Sequence, residues 1–261
     1  MQLEQLQPAF PFLALILGLC LGSFYNVCVH RYLTNQSIIR PGSHCPACGH
    51  SLAWWENLPL LSFVLLLGKC RQCRQSISLY YPALEASSGL WAFLLALKFG
   101  ASWIWLSYLF FGGILLLLSF IDLKSYILPD FLTLTGAILA FACSWLLPHI
   151  SWQSSLLGAV SGAGLFWLLQ LTYQALKGVQ GLGSGDIKLM LLLGALLGVQ
   201  ALPLTVFLAA LSGLAVSLLY LRRSPGQGLQ TAIPFGPFLS LGGMLYILLG
   251  PEIMRWYLGL H

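Results

Sequence analysis

Charge is what this 261-residue chain lacks. Asp, Glu, Lys and Arg make up 7% of it, against 58% hydrophobic residues, more apolar surface than a soluble core can hide. Only three aspartates occur, Asp122, Asp130 and Asp186. No Gly-x-Ser-x-Gly, His-Glu-x-x-His or P-loop string is present, which removes the common serine, metalloprotease and nucleotide-phosphate sites. Internal repeats and low-complexity segments are also missing. Met1-Gln-Leu-Glu has neither a basic n-region nor an obvious cleavage site, so the first apolar stretch is expected to be an uncleaved anchor.

The few charges bound the apolar runs. Residues 5–30, 99–121, 131–176, 189–221 and 224–251 carry none, and a membrane span needs roughly 20 apolar residues. Single helices are predicted near Phe10–Val29, Tyr81–Leu97, Ser102–Ile121 and Phe235–Tyr257. The run 131–176 holds two, broken around Pro148-His149-Ile150-Ser151, and 189–221 is expected to turn between Gly198 and Pro203. The expected fold is an all-α polytopic membrane protein with about eight transmembrane helices. With the N-terminus outside, ten Lys/Arg residues fall inside and only Lys98 and Arg255 outside, which predicts an N-out, C-out topology. The net charge of +5 then suits anionic membrane lipid and calls for no nucleic acid. Three segments follow: 1–32, the first transmembrane helix; 33–80, a cytoplasmic loop; and 81–261, a membrane-embedded core.

The loop carries Cys45-Pro-Ala-Cys48 and Cys70-Arg-Gln-Cys73. Two residues between cysteines let both thiolates reach one ion from a tight turn, and two such turns complete a tetrahedral Zn²⁺ site with no open position, hence a structural one. Cytosolic placement argues against disulfides. Cys20, Cys28 and Cys143 lie in apolar stretches and read as packing residues. His30, His44 and His50 flank the loop and read as spectators.

Asp122 and Asp186 close apolar stretches on the same predicted membrane face, and acids in that position are costly and usually functional. Two close carboxylates share a proton, so one can activate water while the other polarises a carbonyl. Gly183 and Gly185 flank Ser184 just before Asp186, permitting a close backbone approach. Lys188 is placed to bias Asp186 or to reach headgroups. Asp130 reads as a helix N-cap. Gly18/Gly22, Gly158/Gly162 and Gly194/Gly198 read as close-packing pairs between helices. Glu85 and Asn26 are polar groups at membrane depth that need partners.

These strings together resemble the bacterial type IV prepilin peptidases, bifunctional leader peptidases and N-methyltransferases with a Gly-x-Gly-Asp aspartyl centre. The resemblance rests on Gly22-Ser23-Phe24-Tyr25-Asn26, the cysteine loop with Glu56-Asn57-Leu58-Pro59 and Tyr81-Pro82-Ala83-Leu84-Glu85, Asp122 with Leu128-Pro129-Asp130, Gly183-Ser184-Gly185-Asp186-Ile187-Lys188, and Pro234-Phe235-Gly236-Pro237. It implies that Asp122 and Asp186 are catalytic and that Cys45, Cys48, Cys70 and Cys73 bind zinc. It further implies that prepilins and pseudopilins are cut at the cytoplasmic face of the bacterial inner membrane, and that the new N-terminus is methylated from S-adenosylmethionine. The cofactor is expected at the loop and helix ends, with Glu56, Lys69 and Glu85 as candidates. One departure is visible, a segment Arg31–Arg40 shorter than in many members.

Two other readings compete. Presenilin-like aspartyl proteases also use Gly-x-Gly-Asp, but their partner aspartate sits in a Tyr-Asp helix motif, whereas here it follows Ile121. A non-enzymatic membrane scaffold with a zinc-stabilised loop would tolerate Asn at both Asp122 and Asp186.

Overall fold

The computed structural model describes residues 8–40, 42–146, 150–178, 181, 183–223 and 233–259. Among them the regular structure is helical, with no strand and two isolated antiparallel bridges. The helices are α1 (Phe10–Leu33), α2 (Leu61–Leu65), α3 (Tyr80–Phe99), α4 (Trp103–Ser125), α5 (Asp130–Cys143), α6 (Trp152–Lys177), α7 (Ser184–Leu197), α8 (Leu202–Arg223) and α9 (Gly236–Leu258). All but α2 have 14 residues or more. Five (α1, α4, α6, α8 and α9) are long and apolar enough to cross a membrane, as expected of a multi-pass membrane protein. Of the apolar window of α8, 17% is buried within the protein, against 67% for α4. An apolar helix that bare needs lipid around it. Helices α5 and α7 rise only about 21 Å each, short of a hydrocarbon core of about 30 Å.

The chain forms two compact units, Met1–Phe120 and Ile121–His261. In the first, α1 packs on α3. A Cβ at Gly18 would come within 2.6 Å of the Ala92 Cβ, and one at Gly22 within 2.7 Å of the Glu85 Cα, so these glycines set how closely the two helices approach. The start of α4 is tied to α3 by indole donors: Trp91 Nε1 to the Tyr108 carbonyl at 3.0 Å and Trp105 Nε1 to the Ala92 carbonyl at 3.2 Å.

Helix α7 is the centre of the second unit. It packs on α5, α6 and α9, and Leu189, Met190, Leu192, Leu193, Ala195 and Leu196 are all buried. Such a helix has no polar face to mark it in sequence. Gly158 and Gly194 meet across α6 and α7, each leaving no room for a Cβ over the other's backbone. Gly198, at φ +81°, ends α7, and Pro203 sits in the first turn of α8, where the 189–221 run was expected to turn. The other expected break lies partly at 147–149, outside the described residues. Ser151 caps α6, its side chain accepting from the Ser154 N–H at 3.2 Å.

Asp130 is not the N-cap of α5. Pro129 holds that position, and Asp130 is the first helical residue, its carboxylate occupied by another partner.

Candidate functional site

A cavity of about 460 Å³ in the second unit is lined by Asp122, Asp130, Gly183, Gly185, Asp186 and Lys188, with Tyr126, Leu128 and residues Ile233 to Phe235. The cavity brings together Asp122, Asp186, Gly183, Gly185 and Lys188, the residues expected from the sequence at an aspartyl centre. Asp122 lies in the last turn of α4 and Asp186 at the third position of α7, and both are buried. The Asp186 carboxylate lies back over Gly183 at the start of the helix, where a Cβ would come 3.4 Å from its Oδ2. The Asp122 carboxylate lies against Gly236 at the start of α9. Asp186 also feels the charge of Asp122, so the two acids interact as a pair.

Neither Gly183 nor Gly185 has a positive φ, so conformational freedom is not why they are glycines. At Gly185 the constraint is space, since a Cβ there would come 3.0 Å from the Leu128 Cβ. Gly236 is tighter and was not singled out as a site residue in the sequence: a Cβ would lie 2.6 Å from Asp122 Oδ2. The signal available was Pro234-Phe235-Gly236-Pro237, a turn whose second proline enters the first turn of α9. Lys188 pairs with Asp130, Nζ to Oδ1 at 2.6 Å. Tyr126, at φ +56°, follows the end of α4 and returns its N–H to the Asp122 carbonyl at 2.9 Å.

The four cysteines converge in the first unit. Cys45, Cys48, Cys70 and Cys73 present sulfurs within 4.8 Å of one another. Cys45 and Cys73 are 3.9 Å apart, close to the sulfur–sulfur edge of roughly 3.8 Å in a Zn–S₄ tetrahedron with 2.3 Å bonds. The two turns repeat each other. His44 bridges to Ser51 and Lys69 to Ser76, and Gly49 and Arg74, at matching positions, both have positive φ. The N–H groups of Cys73 and Gln72 hold the Cys70 thiol down to about 6, which favours the thiolate that a metal requires. The residues present therefore fit a tetrahedral metal ion.

A second cavity of about 500 Å³ adjoins this cluster, lined by Glu56, Glu85, Arg71, Phe63, Tyr81 and others. Glu56 is buried. Its Oε2 accepts the Ala53 N–H at 2.8 Å and lies 3.2 Å from His50 Nε2, contacts that keep its carboxyl below the usual range. Glu85 accepts the Leu60 N–H at 2.8 Å. Of the three cofactor candidates, Glu56 and Glu85 line this cavity and Lys69 does not. His50, expected to be a spectator of the metal site, partners Glu56 instead.

Two family models match the chain: the bacterial peptidase A24 N-terminal domain over residues 16–99 and the type IV leader peptidase family over 109–218. Among the chain's relatives, a prepilin leader peptidase/N-methyltransferase of Pseudomonas putida is 36% identical over 95% of this chain and 94% of its own length. One of Neisseria gonorrhoeae is 35% identical over 98% and 97%. Another, of Aeromonas salmonicida, is 34% identical over 94% and 93%. No solved structure matches. With identities at this level along nearly the whole length, the chain belongs to the type IV leader peptidase family.

Proposed function

We propose that this protein cleaves the short basic leader of type IV prepilins and type II secretion pseudopilins, then N-methylates the residue exposed. The observation that carries the peptidase half is a cavity lined by both Asp122 and Asp186, each carboxylate lying against a glycine at a helix start. The charged aspartate takes a proton from water, and that water attacks the scissile carbonyl. The protonated partner hydrogen-bonds the carbonyl oxygen and returns a proton to the leaving amine. Gly183, Gly185 and Lys188 shape and charge the wall around the pair.

The Lys/Arg bias supports eight spans, N-out and C-out, in the bacterial inner membrane, with the cysteine loop cytoplasmic. It puts both aspartates at cytoplasmic helix ends, where a leader meets the apolar segment of its prepilin. Cys45, Cys48, Cys70 and Cys73 would hold a structural Zn²⁺, which would rigidify a loop too small for its own core. The methyl donor is S-adenosylmethionine, taken up near Glu56 and Glu85. Residues 81–261 form the peptidase core in this reading.

The test is leader cleavage of a purified prepilin by the reconstituted protein beside Asp122→Asn and Asp186→Asn. The parent should cleave and each variant should lose at least about a thousandfold in rate while remaining folded. Cleavage surviving either substitution would move the chemistry elsewhere.

A further inference from the structure

Helix α2 is apolar on both faces. Phe63 and Leu66 turn to the cavity of about 500 Å³ beside the cysteine cluster. Leu61, Val64 and Leu65 fall on the opposite side, at helical spacing, and all three are exposed. Leucines at positive φ stand just before and just after the helix, Leu60 at +58° and Leu67 at +51°. A bulky side chain is costly in that region, and Leu67, 83% exposed, has little packing inside the chain to offset it. Trp54, also bare, stands in the turn Trp54–Asn57, which packs on α2. An exposed apolar patch of this kind marks a surface that meets something else.

Contacts with α1 and α3 fix the level at which the patch sits. Helix α1 is long and apolar enough to cross a membrane, and its charge-free run continues to His30. Asn26 Nδ2 donates to the Tyr81 carbonyl at 3.0 Å, so α3 begins beside the last turns of that run. A Cβ on Gly22 would lie 2.7 Å from the Glu85 Cα, and Glu85 Oε2 accepts the Leu60 N–H at 2.8 Å. Gly22 stands about 10 Å of helix rise before Val29, where the span is predicted to end. One glutamate side chain and one hydrogen bond together reach less than that. Helix α2 therefore starts level with the end of the span and not out in solution. No acid occurs between Glu56 and Glu85, whereas Lys69, Arg71 and Arg74 follow α2 directly.

We infer that α2 docks into the membrane leaflet on the loop's side, with Leu61, Val64, Leu65 and Leu67 at the boundary of headgroups and acyl chains. Apolar side chains presented at that level enter the boundary by about 5–10 Å. Exposed Lys69 and Arg74 meet anionic headgroups, and the indole of Trp54 suits the same layer. Cys48 and Cys70 bracket α2 in the chain, so closing the four-cysteine cluster holds the segment between them as one lobe against the lipid. The inference rests on α1 crossing the bilayer and on neither catalytic activity.

The experiment places the full-length protein, supplied with zinc, in nanodiscs of phosphatidylcholine and phosphatidylglycerol. A phospholipid with a diazirine near the top of one acyl chain is included, and adducts are mapped by mass after irradiation. Exposed Leu17 and Phe24 of α1 are the reference for lipid contact. Adducts on Leu61–Leu67 should reach at least about a third of that reference, and Leu65→Asp with Leu67→Asp should lower them at least about tenfold while bound zinc and α1 adducts stay as in the parent. Replacing phosphatidylglycerol by phosphatidylcholine should lower the α2 adducts at least about threefold and leave those of α1 unchanged. A labelled α1 with α2 bare would overturn the inference, and this arm decides the question even if the variant fails to hold zinc. Parent-like labelling of a zinc-loaded variant would overturn the insertion of the apolar side chains. Labelling indifferent to anionic lipid would overturn the part given to Lys69 and Arg74. An unlabelled α1 would instead sink the membrane reading of the chain.

Discussion

Gly236 leaves no space for even one added methyl group beside Asp122 Oδ2. Gly236→Ala should therefore displace that carboxylate. Misplacement of a reacting group by about 1 Å can cost about a hundredfold, so cleavage is expected to fall by about that factor with helical content unchanged. A circular dichroism spectrum beside the cleavage rate checks it. The aspartates themselves were legible in the sequence because acids are so scarce in this chain and both stand at the ends of apolar runs. Gly236 was not, because its constraint is a contact with a residue distant in sequence. Asp130 and Lys188 were each read by local rules, as a cap and as a neighbour of Asp186. Both yielded to the charge each meets across α5 and α7.

At the scale of elements, the cysteine loop and α7 are built on opposite logics. The loop holds few buried side chains: α2 has none, and its order depends on two turns that face their sulfurs to one centre. Chelation of the metal, or Cys45→Ser, should open the loop to trypsin at Lys69, Arg71 and Arg74 while the long helices keep their circular dichroism. Resistance of the chelated loop to trypsin would argue that its fold stands without metal. Helix α7, by contrast, is held by packing on three sides. Its position was obscure in sequence because a helix buried all round shows no amphipathic stripe. Its ends were clearer, since Gly198 takes a φ that a side chain would resist.

For the whole molecule, a pair of interacting carboxylates needs one proton between them to act. Cleavage should trace a bell against pH, falling on the acid side as the second carboxylate is protonated and on the alkaline side as the last proton is lost. Asp122→Asn or Asp186→Asn should flatten residual activity to a single limb, or none. The apolar runs located the helices well, α1, α3, α4 and α9 falling within a few residues of the predicted stretches. How many of the eight helices of 14 residues or more cross the bilayer was less legible, because a charge-free run records apolarity and not length along one axis. Five have both.

The short α5 has a further consequence. It contributes Asp130 to the wall around Asp122 and Asp186, bares Phe131 and Ile138 on its outer side, and falls some 9 Å short of a typical hydrocarbon thickness. A bilayer meeting so short a surface thins locally rather than leave acyl chains against polar ends. Such a dimple would draw headgroups and water toward the acids and lift the end of a prepilin's apolar helix to meet them. Cleavage in vesicles of short-chain phosphatidylcholine should then outpace cleavage in long-chain vesicles, and equal rates in both would mean that the membrane takes no part in presenting the scissile bond.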